Sequence, residues 1–524
     1  MKHNTPRNLV LAALALSAAS SGFAEAFSFG VMGDTQDTAG VGINSVAINQ
    51  INACNNAFVQ AGVKFVVQVG DLGDNGSVAS LQTRLAANTA LTNAGITFYG
   101  LRGNHEDNSA AQAYFNANYI PTGANVGADG SSYAVTYGNT KIVLLDILSA
   151  DSATTMTNDT TWMANQLKAT DHTQAFVFDH KNLLGQSHKD NAFGSSNDAN
   201  PTQQNAFFAA AAGNGVKYVI SGHDHMDYSS VVTSPDGSNK LQEIITASDS
   251  TKYYTPGAPF SSRDTPVAQQ LNSTGYYIYT VDGPRVTAKF YATTPLGNGD
   301  VPANATFTLQ DTFGYSLNGK ENLVAQGGSY VTSHTIAAGL NTTFNETYRG
   351  TTMAILSGTN GSTANTADGR ALTKNVSIGW APSTNGPASA GSDVLILMGM
   401  TELGKGDKTD TFALALSFDP TGLSLADLNA GKYGILSKDA AGTWTNTVDL
   451  NFGGTKSFVF GAYNANDALG TYGIDLSTDT AWAVVNHNSE FVLAAIPEPS
   501  TYAAICGALT LGFVAFRRRR TDLC

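Results

Sequence analysis

Val63-Lys64-Phe65-Val66-Val67-Gln68-Val69-Gly70-Asp71-Leu72-Gly73-Asp74 is the stretch on which the fold turns. An apolar, β-branched run of strand length stops at a glycine and is followed at once by a carboxylate. The same punctuation recurs along the first half of the chain. Phe27–Met32 ends in Gly33-Asp34-Thr35-Gln36, and Ile96–Leu101 ends in Arg102-Gly103-Asn104-His105-Glu106. Gln174–Phe178 runs into Asp179-His180, and Val216–Ile220 into Ser221-Gly222-His223-Asp224-His225. A further apolar run spans Lys141–Ile147, and helical stretches lie at Asn44–Val59, Ser80–Asn93, Thr161–Ala169 and Gln203–Ala212. Strands alternating with helices predict an α/β domain on a mostly parallel or mixed sheet. Ligands of such sheets gather at the carboxyl edge of the strands, so the polar strand ends should converge in one crevice.

The residue types at those ends point to metal chemistry. Six of the nine histidines (His105, His172, His180, His188, His223 and His225) fall within residues 105–225. Asp, Gln, Asn and His supply oxygen and nitrogen donors of borderline hardness, suited to two divalent first-row ions. Two cations a few ångströms apart need a shared anionic ligand, and one aspartate can supply both oxygens. His172 and His188 follow no strand end and read as solvated loop residues. Asp146, Asp179 and Asp227 read as turn residues or as supports for the ligands.

Gly33-Asp34-x-Gln36, Gly70-Asp71-x-x-Asp74, Gly103-Asn104-His105-Glu106, His180 and Gly222-His223-x-His225 resemble, in order, the blocks of the calcineurin-like metallophosphoesterases. The resemblance implies a double-β sandwich flanked by helices, closed by strands such as Tyr276–Thr280 and Val286–Tyr291. It implies a first metal on Asp34, Gln36, Asp71 and His225, and a second on Asp71, Asn104, His180 and His223, with Asp71 bridging. The two divalent ions would be Mn, Fe or Zn. His105 would be a catalytic non-ligand that stabilises charge or protonates the leaving oxygen, with Glu106 or Asp74 orienting it or a ligand. A hydroxide bridging the ions would attack a phosphate mono- or diester. The family's first block commonly reads Asp-x-His, and the carbonyl of Gln36 is a weaker ligand than imidazole. That departure favours one alternative reading: a cell-surface or matrix structural or binding protein whose phosphoesterase-like domain is catalytically weak.

Beyond residue 300 the helical periodicity fades. Runs such as Asp393–Met398, Thr411–Phe418, Lys456–Phe460, Ala481–Val485 and Glu490–Ala494 are separated by Gly, Asn, Asp and Ser turns, predicting an all-β sandwich of jelly-roll type. Trp380, Trp444 and Trp482 in this half read as core residues rather than sugar-stacking platforms. The expected boundaries are 27–297 for the phosphoesterase-like domain and 298–494 for the β-sandwich.

The two ends read as targeting segments. Lys2 and Arg7, the apolar run Leu9–Ala19 and Gly22-Phe23-Ala24-Glu25-Ala26 have the order of a secretory signal peptide, residues 1–26. Residues 495–524 carry Pro497-Glu498-Pro499, an apolar run from Tyr502 to Phe516 and four arginines, Arg517 to Arg520. This tail resembles the PEP-CTERM sorting signal of Gram-negative bacteria. The resemblance implies an inner-membrane anchor with its arginines in the cytoplasm, an exosortase-type processing enzyme as partner, and a final place at the cell surface or outside the cell. Cys54 alone would survive both cleavages, of the cysteines Cys54, Cys506 and Cys524, so no intrachain disulfide is expected. Cys54 shares a helix face with Ala47, Ile51 and Phe58 and reads as a buried small hydrophobe. A net charge of −13, from 28 basic and 41 acidic residues, offers no basic surface for nucleic acid.

Overall fold

The computed structural model describes residues 25–146, 152–257, 261–302, 304–318, 351–358, 360, 362–364, 372–374 and 376–497. Phe27–Met32 pairs in parallel with Phe65–Gln68, which pairs in parallel with Thr97–Gly100. On its other side Phe27–Met32 runs antiparallel to Thr274–Asp282, followed by Arg285–Thr293 and Thr308–Ser316. A second sheet has the order Asp264–Gln270, Asp227–Thr233, Lys240–Ile245, Tyr218–Ser221, Gln174–Phe178, Thr140–Leu144, Tyr133–Tyr137, Asn125–Val126. The two sheets face each other across an aromatic core. Phe29 stacks on Phe65 and Tyr279 at 4.9 and 5.1 Å and meets Phe176 of the other sheet edge-on at 5.2 Å. Each such pair adds about 0.5–1.5 kcal/mol to the burial itself, which fixes the sheets' spacing as well as their contact.

Helices cover both outer faces. Ile48–Ala61 lays Ile51, Cys54 and Phe58, all fully buried, on the first sheet and stops at Gly62, whose φ is 67°. Ala153–Leu167 and Pro201–Gly213 cover the second sheet through Met163, Phe207 and Phe208. The result is the α/β double-β sandwich with flanking helices that the sequence leads one to expect. Two helices depart in detail. The stretch Ser80–Asn93 is broken into Val78–Ala86 and Thr89–Asn93, because Asn55 Nδ2 and Thr89 Oγ1 donate to the Ala87 and Ala86 carbonyls. The helix expected at Thr161–Ala169 starts at Ala153, where Ser152 Oγ accepts from Thr155 N and caps a threonine-rich first turn of weak propensity.

The C-terminal region is largely β. A five-stranded sheet, ordered Thr352–Ser357, Lys408–Ser417, Thr480–His487, Thr471–Asp475, Ser457–Phe460, packs on the continuation of the first sheet. Leu397, Phe412, Leu414, Trp482, Val484 and Phe491 fill the space between them. Trp482 is fully buried and donates to the Gly461 carbonyl at 2.8 Å, and Trp380 is buried beside it in the same core. Trp444 is half-buried beneath the Lys438 ammonium. A short α-helix, Leu425–Asn429, interrupts the strands.

The sheet itself does not stop at residue 297. Thr308–Ser316 buries Phe313 and Tyr315 in the first core and meets Val376–Ala381 in parallel at Thr312 and Ser377. Asp393 fastens this junction, accepting from Arg285 Nη1 at 3.3 Å, Ser316 Oγ at 2.6 Å and Asn318 Nδ2 at 2.9 Å. Among the described residues no helix is long and apolar enough to cross a membrane. Residues 1–24 of the expected signal peptide and residues 498–524 of the expected sorting tail lie outside the described residues.

Candidate metal centre

The parallel strands Phe27–Met32 and Phe65–Gln68 end at one edge of the sandwich, and Thr97–Gly100, Gln174–Phe178 and Tyr218–Ser221 end there too. Asp71, His180 and His223 each bring a ligand atom within 4.8 Å of one another, and so do Asp34, Asp71 and His225. Asp71 is common to both groups. Asp34 and Asp71 are essentially without solvent contact, as are His180 and His225. Buried carboxylates in this number require compensating positive charge. Burial alone would lower the pKa of His180, but Asp71 at 3.3 Å and the nearby Asp34 outweigh it and lift it to about 10. A proton on His180 thus balances anions that bound cations would otherwise balance. Burial pushes the Asp34 carboxyl up to about 7, with Asp71 adding to the rise against His180.

The backbone spends strain to bring these groups together. Asp71, His223 and His225 all have left-handed φ angles, 46°, 67° and 50°, which non-glycine residues avoid at a cost of about 1–3 kcal/mol each. Two glycines make room. A Cβ on Gly103 would lie 1.9 Å from Asp71 Oδ1, and one on Gly70, itself at φ 104°, would lie 2.4 Å from His180 Nδ1.

Each ligand candidate is held from behind. His180 Nδ1 lies 2.8 Å from the Val69 carbonyl, which turns Nε2 toward Asp71 and Asn104 Oδ1. His225 Nδ1 lies 2.8 Å from Ser250 Oγ and 3.2 Å from Ser248 Oγ, leaving Nε2 on the Asp34 side. Burial drives the His225 pKa down to about 3, so the ring is neutral, the form that binds a cation. Gln36 Nε2 lies 2.5 Å from Asp71 Oδ2, and its Oε1 is buried with no partner. Turning that amide over, which needs no other movement, puts a carbonyl oxygen beside Asp71. The donor set therefore fits two divalent ions.

His105 stands at the rim, a quarter exposed, with Nε2 3.9 Å from Asp71 Oδ2. Its backbone N–H donates to Asp71 Oδ1 at 3.1 Å, and its Nδ1 is bonded to the Asp74 carbonyl. Glu106 does not reach the ring. Its carboxylate takes the Gly103 and Gly73 N–H groups and clamps the two loops together. Asp146 is occupied by Arg102 at 2.5 Å and Asp227 by the Tyr277 hydroxyl, so neither joins the ligands.

A match to the family model for calcineurin-like phosphoesterases runs over residues 27–227. Residues 27–227 are a calcineurin-like phosphoesterase domain. The buried His/Asp groups, Asp71 with His180 and His223 and Asp34 with Asp71 and His225, lie inside the matched residues as a candidate metal site. Among solved structures, the chain is similar to purple acid phosphatase PPD1 from yellow lupin (Lupinus luteus) seeds. The identity is 12% and the TM-score 0.42, over 56% of this chain and 54% of that one. PhoD is similar at 14% identity and TM-score 0.39, over 56% and 70% of the two chains. A dimetal phosphatase from Danio rerio follows at 16% and 0.34, over 50% and 95%. The chain thus spans about half the length of the lupin phosphatase. No curated protein matches the sequence.

Two residues around the site, His188 and Asp190, escaped the strand-end pattern, and a third, Asp224, stood inside its last block without a role of its own. His188, expected to be a solvated loop residue, instead packs its ring 4.4 Å from that of His223 and 5.0 Å from Tyr254. Its Nδ1 lies 2.7 Å from Asp224 Oδ1. Asp224 is buried between the two histidines of the last block and receives Gln186 N and His188 N as well. Asp190 lies 3.4 Å from His223 Nε2. His188 and Asp190 follow no strand and carry no glycine beside them, so spacing gives no sign of them. His172, likewise expected to be solvated, has its side chain only 6% exposed and lies 2.9 Å from Asp171.

Proposed function

We propose that the chain is an exported phosphoesterase that hydrolyses phosphate mono- or diesters at two divalent ions. One observation carries this reading: two buried groups of ligand atoms share a single carboxylate, Asp71. In it Asp34, Gln36, Asp71 and His225 hold one ion, and Asp71, Asn104, His180 and His223 the other. The ions, when bound, supply Lewis acidity and make water nucleophilic near neutral pH. The protein's own groups do the rest. Asp71 would be the ligand common to both ions, and the carbonyl of Asp74 holds the His105 ring with its Nε2 toward Asp71. From there His105 donates to a phosphoryl oxygen or to the leaving oxygen. The signal peptide and PEP-CTERM-like tail support export, transient anchoring in the inner membrane, and release by an exosortase-type enzyme.

Hydrolysis of p-nitrophenyl phosphate and bis-p-nitrophenyl phosphate, beside Asp71→Ala and His105→Ala, tests the enzyme. Turnover that vanishes with Asp71→Ala and falls steeply with His105→Ala supports it. Turnover indifferent to both substitutions counts against it. Mass spectrometry of the chain recovered from cells tests the export reading, which expects a new N-terminus near residue 24 or 26 and loss of the arginine-ended tail.

A further inference from the structure

We propose that Asp190 is the positioning residue for His223, and that through it the loop 181–200 is coupled to the second metal position. The proposal rests on the dimetal reading above. The three histidines of the two ligand groups are held from behind by different partners. His180 leans on the Val69 carbonyl and His225 on the Ser250 hydroxyl, both part of the sheet edge or of the turn that follows it. His223 has a carboxylate instead. Asp190 Oδ1 lies 3.4 Å from His223 Nε2, while Asp190 Oδ2 lies 3.0 Å from Lys181 Nζ. A ring nitrogen of His223 lies within 4.8 Å of ligand atoms of Asp71 and His180, and with Nε2 engaged by Asp190 it is Nδ1 that is left for a cation. A carboxylate on the far nitrogen fixes the tautomer, sets the ring plane and makes the near nitrogen a better donor to a cation.

The loop that carries Asp190 is itself pinned to the block it supports. Asp224, fully buried, accepts from Gln186 N at 2.7 Å, from His188 N at 2.8 Å and from Asn182 Nδ2. Asp224 is the residue between His223 and His225. The last block thus fastens the loop through Asp224, and the loop returns Asp190 to the His223 ring. His223 needs such support, because its φ of 67° is one that an unsupported residue would leave. Asp190 and Lys181 lie 36% and 22% exposed, so their bonds work partly in water. The effect belongs at the low end of what ligand-supporting residues contribute to metal affinity.

The test is Mn²⁺ titration by calorimetry on the full chain, stripped of metal with a chelator. The unmodified chain should bind two ions. Asp190→Asn should weaken one of them by about tenfold, within the roughly 10–100-fold range for such residues, and leave the other unchanged. Lys181→Met should weaken the same ion less, and Asp190→Glu should recover part of the loss. Thermal unfolding of the metal-free proteins should not distinguish the variants. Unchanged affinity for both ions in Asp190→Asn would overturn the proposal, as would equal weakening of both. A chain that binds two ions while Asp190→Asn has no effect leaves the dimetal reading intact, whereas a chain that binds none overturns both.

Discussion

The two halves of the molecule both pack sheets across apolar cores, and they place buried charge differently. In the C-terminal sandwich the space between the sheets is filled by Leu397, Phe412, Leu414, Trp482 and Phe491, and the indole N–H of Trp482 has its carbonyl. In the phosphoesterase half an equally apolar core ends abruptly at the strand tips. There Asp34, Asp71, His180 and His225 are buried together, and Asp71, His223 and His225 are held in left-handed backbone. Among the described residues, both groups able to hold an ion lie in this half. One sandwich is arranged for stability and the other gives up some stability to hold charge. Buried carboxylates and strained ligands persist only where something binds them or where the surrounding fold overrules them.

Mutations should separate these two designs. The largest effect is expected for Asp71→Ala, which removes the ligand common to both groups. Elemental analysis should find both ions gone and hydrolysis at background, and retention of two ions would break the comparison. His105→Ala should keep the ions and lower kcat by roughly 10²–10⁴-fold, the usual range for loss of a general acid. Loss of metal in that variant would make His105 a ligand instead. Trp482→Ala should cost about 3–5 kcal/mol, the common range for truncating a buried large aromatic, read from denaturant unfolding. Its metal content should stay at two, since the C-terminal core is separate from the strand tips. Ser250→Ala should be the mildest, weakening one ion by about tenfold through the His225 ring and leaving global unfolding unchanged.

Much of this was legible in the sequence, for a physical reason. A strand that ends in glycine and then a ligand has one purpose for the glycine, the close approach seen where Gly103 passes Asp71 and Gly70 passes His180. Those strand ends were expected to converge in one crevice, and the ligand set Asp34, Gln36, Asp71, Asn104, His180, His223 and His225 came from their resemblance to the calcineurin-like family. The supporting residues were not legible. Asp190 and Ser250 matter because loops return to the ligands from ten or more residues away in sequence, and no local spacing records such a return; Asp224 stands between two ligands, but the loop it fastens was hidden. His188 was misjudged on the same ground, since a histidine in a polar loop looks solvated until the loop is folded back onto His223. The break between Val78–Ala86 and Thr89–Asn93 was hidden likewise, because Asn55 causes it from another helix.

The most direct measurement is the metal content of the full chain purified without chelator and then supplied with Mn²⁺ or Zn²⁺, beside Asp71→Ala. Two divalent ions per chain, both lost in Asp71→Ala, is the result expected from two ligand groups sharing one carboxylate. No bound metal under any of these conditions, or two ions retained without Asp71, would contradict it.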